Sequence, residues 1–141
     1  DIKRPGRLDR KIPFFYADNA EDRLRIVNAI LKRNGAALPG DTGAALTDAL
    51  SGLDGYSNAD LEAVALLALD MARNEGATFG VAHVRQAIQD FIPPQHADTI
   101  QLMELLAVQE SSRRSLLPER FAKLTPTEVS ELIGELKRRI R

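Results

Sequence analysis

Two short stretches of the chain hold residue types that could do chemistry, and both point at phosphate or nucleotide. The first is the opening RPGRLDR, in which Arg4 and Arg7 flank Pro5 and Gly6. Proline and glycine hold such a stretch in a turn, which leaves both guanidiniums on an exposed loop. A guanidinium is a planar, permanently charged fork of donors that matches the oxygens of a phosphate. The second stretch is GYSNADL, residues 55–61, a turn followed by Ser57 and Asp60 at the spacing of a helix cap. A helix start presents N–H groups with no intrahelical partner, and these can face a nucleotide. Taken singly, the arginine pair also fits an ordinary solvated loop, and the second stretch an ordinary capped turn.

No other catalytic set is present in the sequence. There is no GxxxxGK[ST] phosphate loop, no GxGxxG, no HExxH and no GxSxG. Cysteine is absent, which excludes disulfides, thiolate catalysis and cysteine-based metal sites. The two histidines, His83 and His96, stand thirteen residues apart and make no metal set. With no nucleophile–base pair and no phosphate loop, the chain by itself assembles no recognisable active site. An enzyme acting alone is therefore the weakest reading.

The elements that would position these residues read as mostly helical. Residues 12–16, IPFFY, are short, apolar and aromatic, and are the strand candidate. Asp18 and Glu21 have capping-box spacing, and Leu24, Val27 and Leu31 form the stripe of the helix that follows, with Ile26 and Ile30 beside it. Gly35 suits its end. A second helix is predicted over 43–50. Ser57 opens a third running to about residue 74, with Leu61, Val64, Ala65, Ala68 and Ala72 inward and Gly76 at its close. Gly80 precedes a fourth, which Pro93 and Pro94 stop, since proline lacks the N–H and crowds the preceding turn. Beyond lies a tail. Residues 98–117 read as one helix apolar on more than one face, broken by Pro118. Thr125, Pro126 and Glu128 form a capping box with proline at the first helical position. The last helix has the stripe Val129, Leu132, Ile133, Leu136 and Ile140 and a basic end that suits the helix dipole.

Taken together and in order, RPGRLDRKIPF, the RLRIV helix and GYSNADLEAV resemble the end of an AAA-family ATPase module. In that family the first motif leads through the last strand of an α/β core into a four-helix lid, and G-[FY]-S-G-[AS]-D-L starts the third lid helix. A strand-like step and one more helix then finish the lid, the place taken here by residues 77–91. The resemblance covers about residues 1–92. It implies an all-α chain: a four-helix lid over 18–92, preceded over 1–17 by the arginine-finger loop and last strand of the core, and followed over 93–141 by a helical extension of two or three helices.

The resemblance also implies roles. Arg4 and Arg7 match the paired arginine fingers, which reach in trans to the γ-phosphate of ATP bound in a neighbouring subunit. Ile30 falls where the family places an adenine-side residue, and Asn58 and Ala59 match lid positions near the base and ribose. Asn58 stands where the family carries glycine; asparagine is the next residue best suited to positive φ. The implied cofactor is Mg-ATP, with the magnesium ligands outside this chain. The implied assembly is a ring homo-oligomer, expected to be a hexamer, that remodels a macromolecule.

Composition fits this picture. The chain has 141 residues, 44% hydrophobic and 28% charged, in the range of a folded protein. Nineteen Lys and Arg nearly cancel twenty Asp and Glu, which argues against direct nucleic-acid binding or a membrane-surface role. The balance hides blocks: residues 1–17 are basic, 36–72 hold six acids and no Lys or Arg, and 110–141 hold eight basic residues against five acidic. These blocks read as solvated helix faces or as complementary surfaces between neighbouring copies. No apolar run approaches the ~18 residues of a membrane span, and the charged opening is no signal peptide. A cytoplasmic protein is expected, and the opening without Met, in mid-pattern, points to a fragment. The alternative function is a non-catalytic helical interaction module, with a protein partner docking on 93–141.

Overall fold

The computed structural model describes residues 15–38, 40–94 and 97–140. Among these residues the protein is all-α, with no strand: α1 Ala20–Arg33, α2 Gly43–Leu50, α3 Asn58–Glu75, α4 Val81–Asp90, α5 Ala97–Glu110, a 3-10 turn at Arg114–Leu116, α6 Glu119–Ala122 and α7 Pro126–Ile140. The chain divides into two compact units, one of them Tyr16–Pro94 and the other built from residues 97–140 together with Phe15.

The first unit holds α1 to α4. Its core joins Val27, Ile30 and Leu31 of α1 to Leu46 and Leu50 of α2, Leu61, Val64, Ala65 and Ala68 of α3, and Val84 and Ala87 of α4. The alanines of α3 let its neighbours approach closely, while the leucines of α1 and α2 fill the space between. Two residues outside the aliphatic pattern are also buried. Arg23 is 1% exposed and His83 7%. His83 Nδ1 accepts from the Gly80 N–H at 3.1 Å, so the ring proton is on Nε2, which donates to Glu75 at 3.0 Å. The histidine is thus satisfied by the turn at Gly80 and by the last residue of α3.

The helix ends follow cap chemistry. Gly76, with φ 62°, ends α3 in the left-handed conformation. At the start of α1 the cap is Asn19, not Asp18: Asn19 is extended and its side-chain oxygen accepts from the Asp22 N–H at 2.8 Å. Asparagine wins because its amide also donates, at 3.1 Å to Asp18 and 2.9 Å to Asp22, and so holds both neighbouring carboxylates.

The second unit packs α5 on α7 around Leu105, Phe121, Val129, Ile133 and Leu136. Thr125 and Glu128 make the reciprocal cap of α7. The helix over 98–117 is shorter than its apolar pattern predicts. It stops at Glu110, where Ser111 turns its N–H back to Val108 and its hydroxyl to the Arg113 carbonyl. Serine offers the backbone hydrogen bonds that compete with a helix, so the break comes well before Pro118. In the strand candidate IPFFY, residues 12–14 lie outside the described residues, and Phe15 and Tyr16 have no regular structure. Phe15 instead serves this core, its ring centroid 5.5 Å from that of Phe121. Residues 77–80, the strand-like step, are likewise irregular.

No helix among the described residues is long and apolar enough to cross a membrane.

Candidate functional site

The start of α3 is the candidate site. Ser57, extended at φ −75° and ψ 167°, accepts from the Asp60 N–H at 3.1 Å, and the Asp60 carboxylate accepts from the Ser57 N–H at 2.8 Å. Asp60 is therefore consumed by the cap. Asn58 and Ala59, the first two helical residues, are both exposed, and the cap leaves their N–H groups free. Asn58 does not use the positive φ its residue type allows; among the described residues positive φ occurs only at Gly35, Gly55 and Gly76. Gly55, at φ 83°, makes the turn into the motif.

The local electrostatics select the kind of acceptor these two N–H groups can meet. The Asp60 carboxylate at the helix start opposes a phosphate there. A neutral acceptor, such as a ribose hydroxyl or a base carbonyl, meets no such opposition.

Ile30 is placed differently. It lies on the core side of α1 and is 6% exposed, so its side chain is spent on packing. Its helix does run beside the motif: Arg33 in the last turn of α1 pairs with Glu62 in α3 at 3.2 Å. Asn58 and Ala59 are thus exposed neighbours at the start of α3, and Ile30 lies in the core of the same unit. Arg4 and Arg7 lie outside the described residues. An open apolar depression of about 420 Å³ between α1 and α2, floored by Leu24, Leu31 and Leu46, includes none of Ile30, Asn58 and Ala59.

Tyr56 backs the motif. Its ring packs on Phe91, centroids 6.0 Å apart. Burial, and then the Asp60 carboxylate, push its hydroxyl above the ordinary tyrosine value. The raised value means that the folded state holds the proton more tightly than the unfolded chain. Stability from this source is complete below about pH 10 and is lost as pH rises through the raised value. Tyr56→Phe removes the titrating group, so its alkaline loss of stability should be smaller than the parent's. Chemical denaturation between pH 9 and 12 checks this, and equal losses in both proteins would refute it.

The acidic block over 36–72 is largely neutralised inside its own unit. Asp48 pairs with Arg85 at 2.9 Å, Asp54 with Arg23 at 2.8 Å, Glu62 with Arg33 and Asp70 with Arg73 at 3.4 Å. With Asp60 in the cap, five of its six acids have partners.

The Arg23 pair is the feature that charge patterning misses. Its signal is positional: Arg23, Val27, Ile30 and Leu31 share one helical stripe, so a charge stands where the spacing calls for an apolar side chain. Among the described residues no group of three or more His, Cys, Asp or Glu is arranged to hold a metal ion. No protein-family model matches the chain, and neither a curated protein nor a solved structure matches it.

Proposed function

We propose that this chain is the end of an AAA-family ATPase module: an arginine-finger loop at Arg4 and Arg7, a helical lid over 18–92, and an added helical unit. The observation that supports the reading most directly is the start of α3. GYSNADL there leaves Asn58 and Ala59 exposed at a capped helix end, on a unit of four helices. In this reading, ATP with its magnesium is held by residues of the same module outside this chain. The lid faces base and ribose, and its rotation is passed around a ring of identical subunits to a macromolecular substrate.

The free N–H groups of Asn58 and Ala59, beside the Asp60 carboxylate, suit a sugar or base and not the triphosphate. Recognition of phosphate charge falls to the arginines of the next subunit, whose donor forks match phosphoryl oxygens.

ATP turnover by the full-length protein, measured together with its mass in solution, tests the reading. A ring-sized oligomer that hydrolyses ATP is expected. A full-length protein that neither binds nor hydrolyses ATP would overturn it.

A further inference from the structure

We propose that the C-terminal unit carries a docking pocket for an acidic–aliphatic peptide segment of a partner protein, with Arg113 and Arg114 as its anion contacts. The inference does not depend on the ATPase reading. A pocket of about 300 Å³ lies between the end of α5, the link that follows it and the start of α7. Its floor is apolar, formed by Val108, Leu117, Leu124 and Val129, at the edge of the core that buries Leu105 and Phe121. Arg113 and Arg114 stand on its rim, both exposed, and among the described residues no Asp or Glu lines it.

The two guanidiniums differ from most cations around them. Arg120 is paired with Glu104, Lys123 with Glu119 and Arg139 with Asp98. Neither Arg113 nor Arg114 has a side-chain ion pair or hydrogen bond among the described residues. Two adjacent unpaired charges beside an apolar floor ask for a ligand with the complementary pair of properties, a carboxylate next to an aliphatic group. The helix start nearby adds nothing to this. Pro126 has no N–H, and Thr125 and Glu128 satisfy each other at 2.8 and 3.2 Å. Among the described residues that line the pocket, the positive charge is that of the two arginines.

The openness of the pocket selects the source of the carboxylate. A small-molecule site encloses about 70–90% of its ligand's surface. Here Arg113, Arg114 and Ser130 are all exposed around the mouth. A free amphiphile would leave much of its apolar body in water. A peptide needs to bury only one aliphatic side chain while its flanking carboxylates meet the rim.

The test uses the whole chain and the synthetic peptide fluorescein-Gly-Glu-Leu-Glu-Leu-Gly-amide, labelled at its N-terminus and read by fluorescence anisotropy. Saturable binding is expected, weakened about tenfold or more by the double variant Arg113→Ala, Arg114→Ala and by glutamine in place of both peptide glutamates. Ser130→Trp, which places an indole over the floor, is expected to weaken binding without touching the charges. All three positions are exposed, so circular dichroism of the variants should match the parent. Decanoate, the free-amphiphile probe, is expected not to displace the peptide. Absence of saturable binding, equal affinity of the double variant or the glutamine peptide, or displacement by decanoate would each overturn the proposal.

Discussion

Alanine at Arg4 or at Arg7 is expected to lower ATP turnover of the full-length protein by about 10³-fold or more, while nucleotide affinity stays within about twofold. The size of the effect follows from where charge develops. Phosphoryl transfer spreads negative charge over the γ-phosphoryl oxygens in the transition state, and a guanidinium aimed there stabilises that state more than the ground state. An interaction made mainly in the transition state lowers turnover when removed and leaves binding largely intact. Because the fingers are proposed to act on the neighbouring subunit, a second result is expected. Arg7→Ala subunits, whose own nucleotide sites are intact, should regain turnover when mixed with subunits that have fingers but a defective phosphate loop. Normal turnover in both alanine variants would remove the finger assignment. Lost turnover without rescue on mixing would remove its action in trans.

How far the sequence was legible differs between the units, for physical reasons. In the first, helix ends are written in local chemistry. Ser57, Asp60 and Gly76 act within a turn of their own positions, and α2 runs over 43–50 as its pattern predicts. The one misplaced cap, Asp18 for Asn19, is a competition between adjacent residues. It is decided by the amide of asparagine, which can donate as well as accept. In the second unit, α5 is apolar on several faces, so hydrophobic period gives no warning of its end, and the stop at Ser111 depends on two weak local hydrogen bonds.

Tertiary choices were less legible. IPFFY has strand composition, yet Phe15 serves a helical core through a ring contact with Phe121, more than a hundred positions along the chain. For the candidate site, the exposure of Asn58 and Ala59 follows from their place at a helix start. The burial of Ile30 does not follow from its motif position, since α1 has to spend that face on the core. The acidic block illustrates the same limit. Read along the chain it is six charges without a counter-ion, but the folded unit supplies arginines from α1, α3 and α4.

Arg23→Ala is expected to destabilise the first unit by about 3 kcal/mol, enough to lower its melting temperature by about 12 °C or more. The residue is 1% exposed, and its head closes the end of α2. One terminal nitrogen donates to the Leu50 carbonyl at 2.9 Å and, less closely, to that of Ser51 at 3.4 Å, and the other to Asp54 at 2.8 Å. The last carbonyls of a helix have no partner within it, and a cation at that end is favoured by the dipole. Alanine would orphan a buried carbonyl and leave a cavity as well.

Two further variants separate the contributions. The Asp54 side chain is 87% exposed, so Asp54→Asn should cost less than about 1 kcal/mol. Arg23→Met keeps the packing of the stem and loses only the donors, so it should fall between the other two, at about 1–3 kcal/mol. Thermal and urea unfolding of the three variants would measure this order. An Asp54→Asn loss as large as that of Arg23→Ala would mean that the ion pair, not the carbonyl clasp, holds the end of α2. The clasp also bears on the candidate site. The segment it fastens, from Leu50 through the buried Leu53 and the turn at Gly55, leads directly into Ser57, so a chain without Arg23 should lose order at the start of α3 before it loses its other helices. Hydrogen exchange at the amides of residues 51–59 would detect that order of loss, with protection there falling first in Arg23→Met.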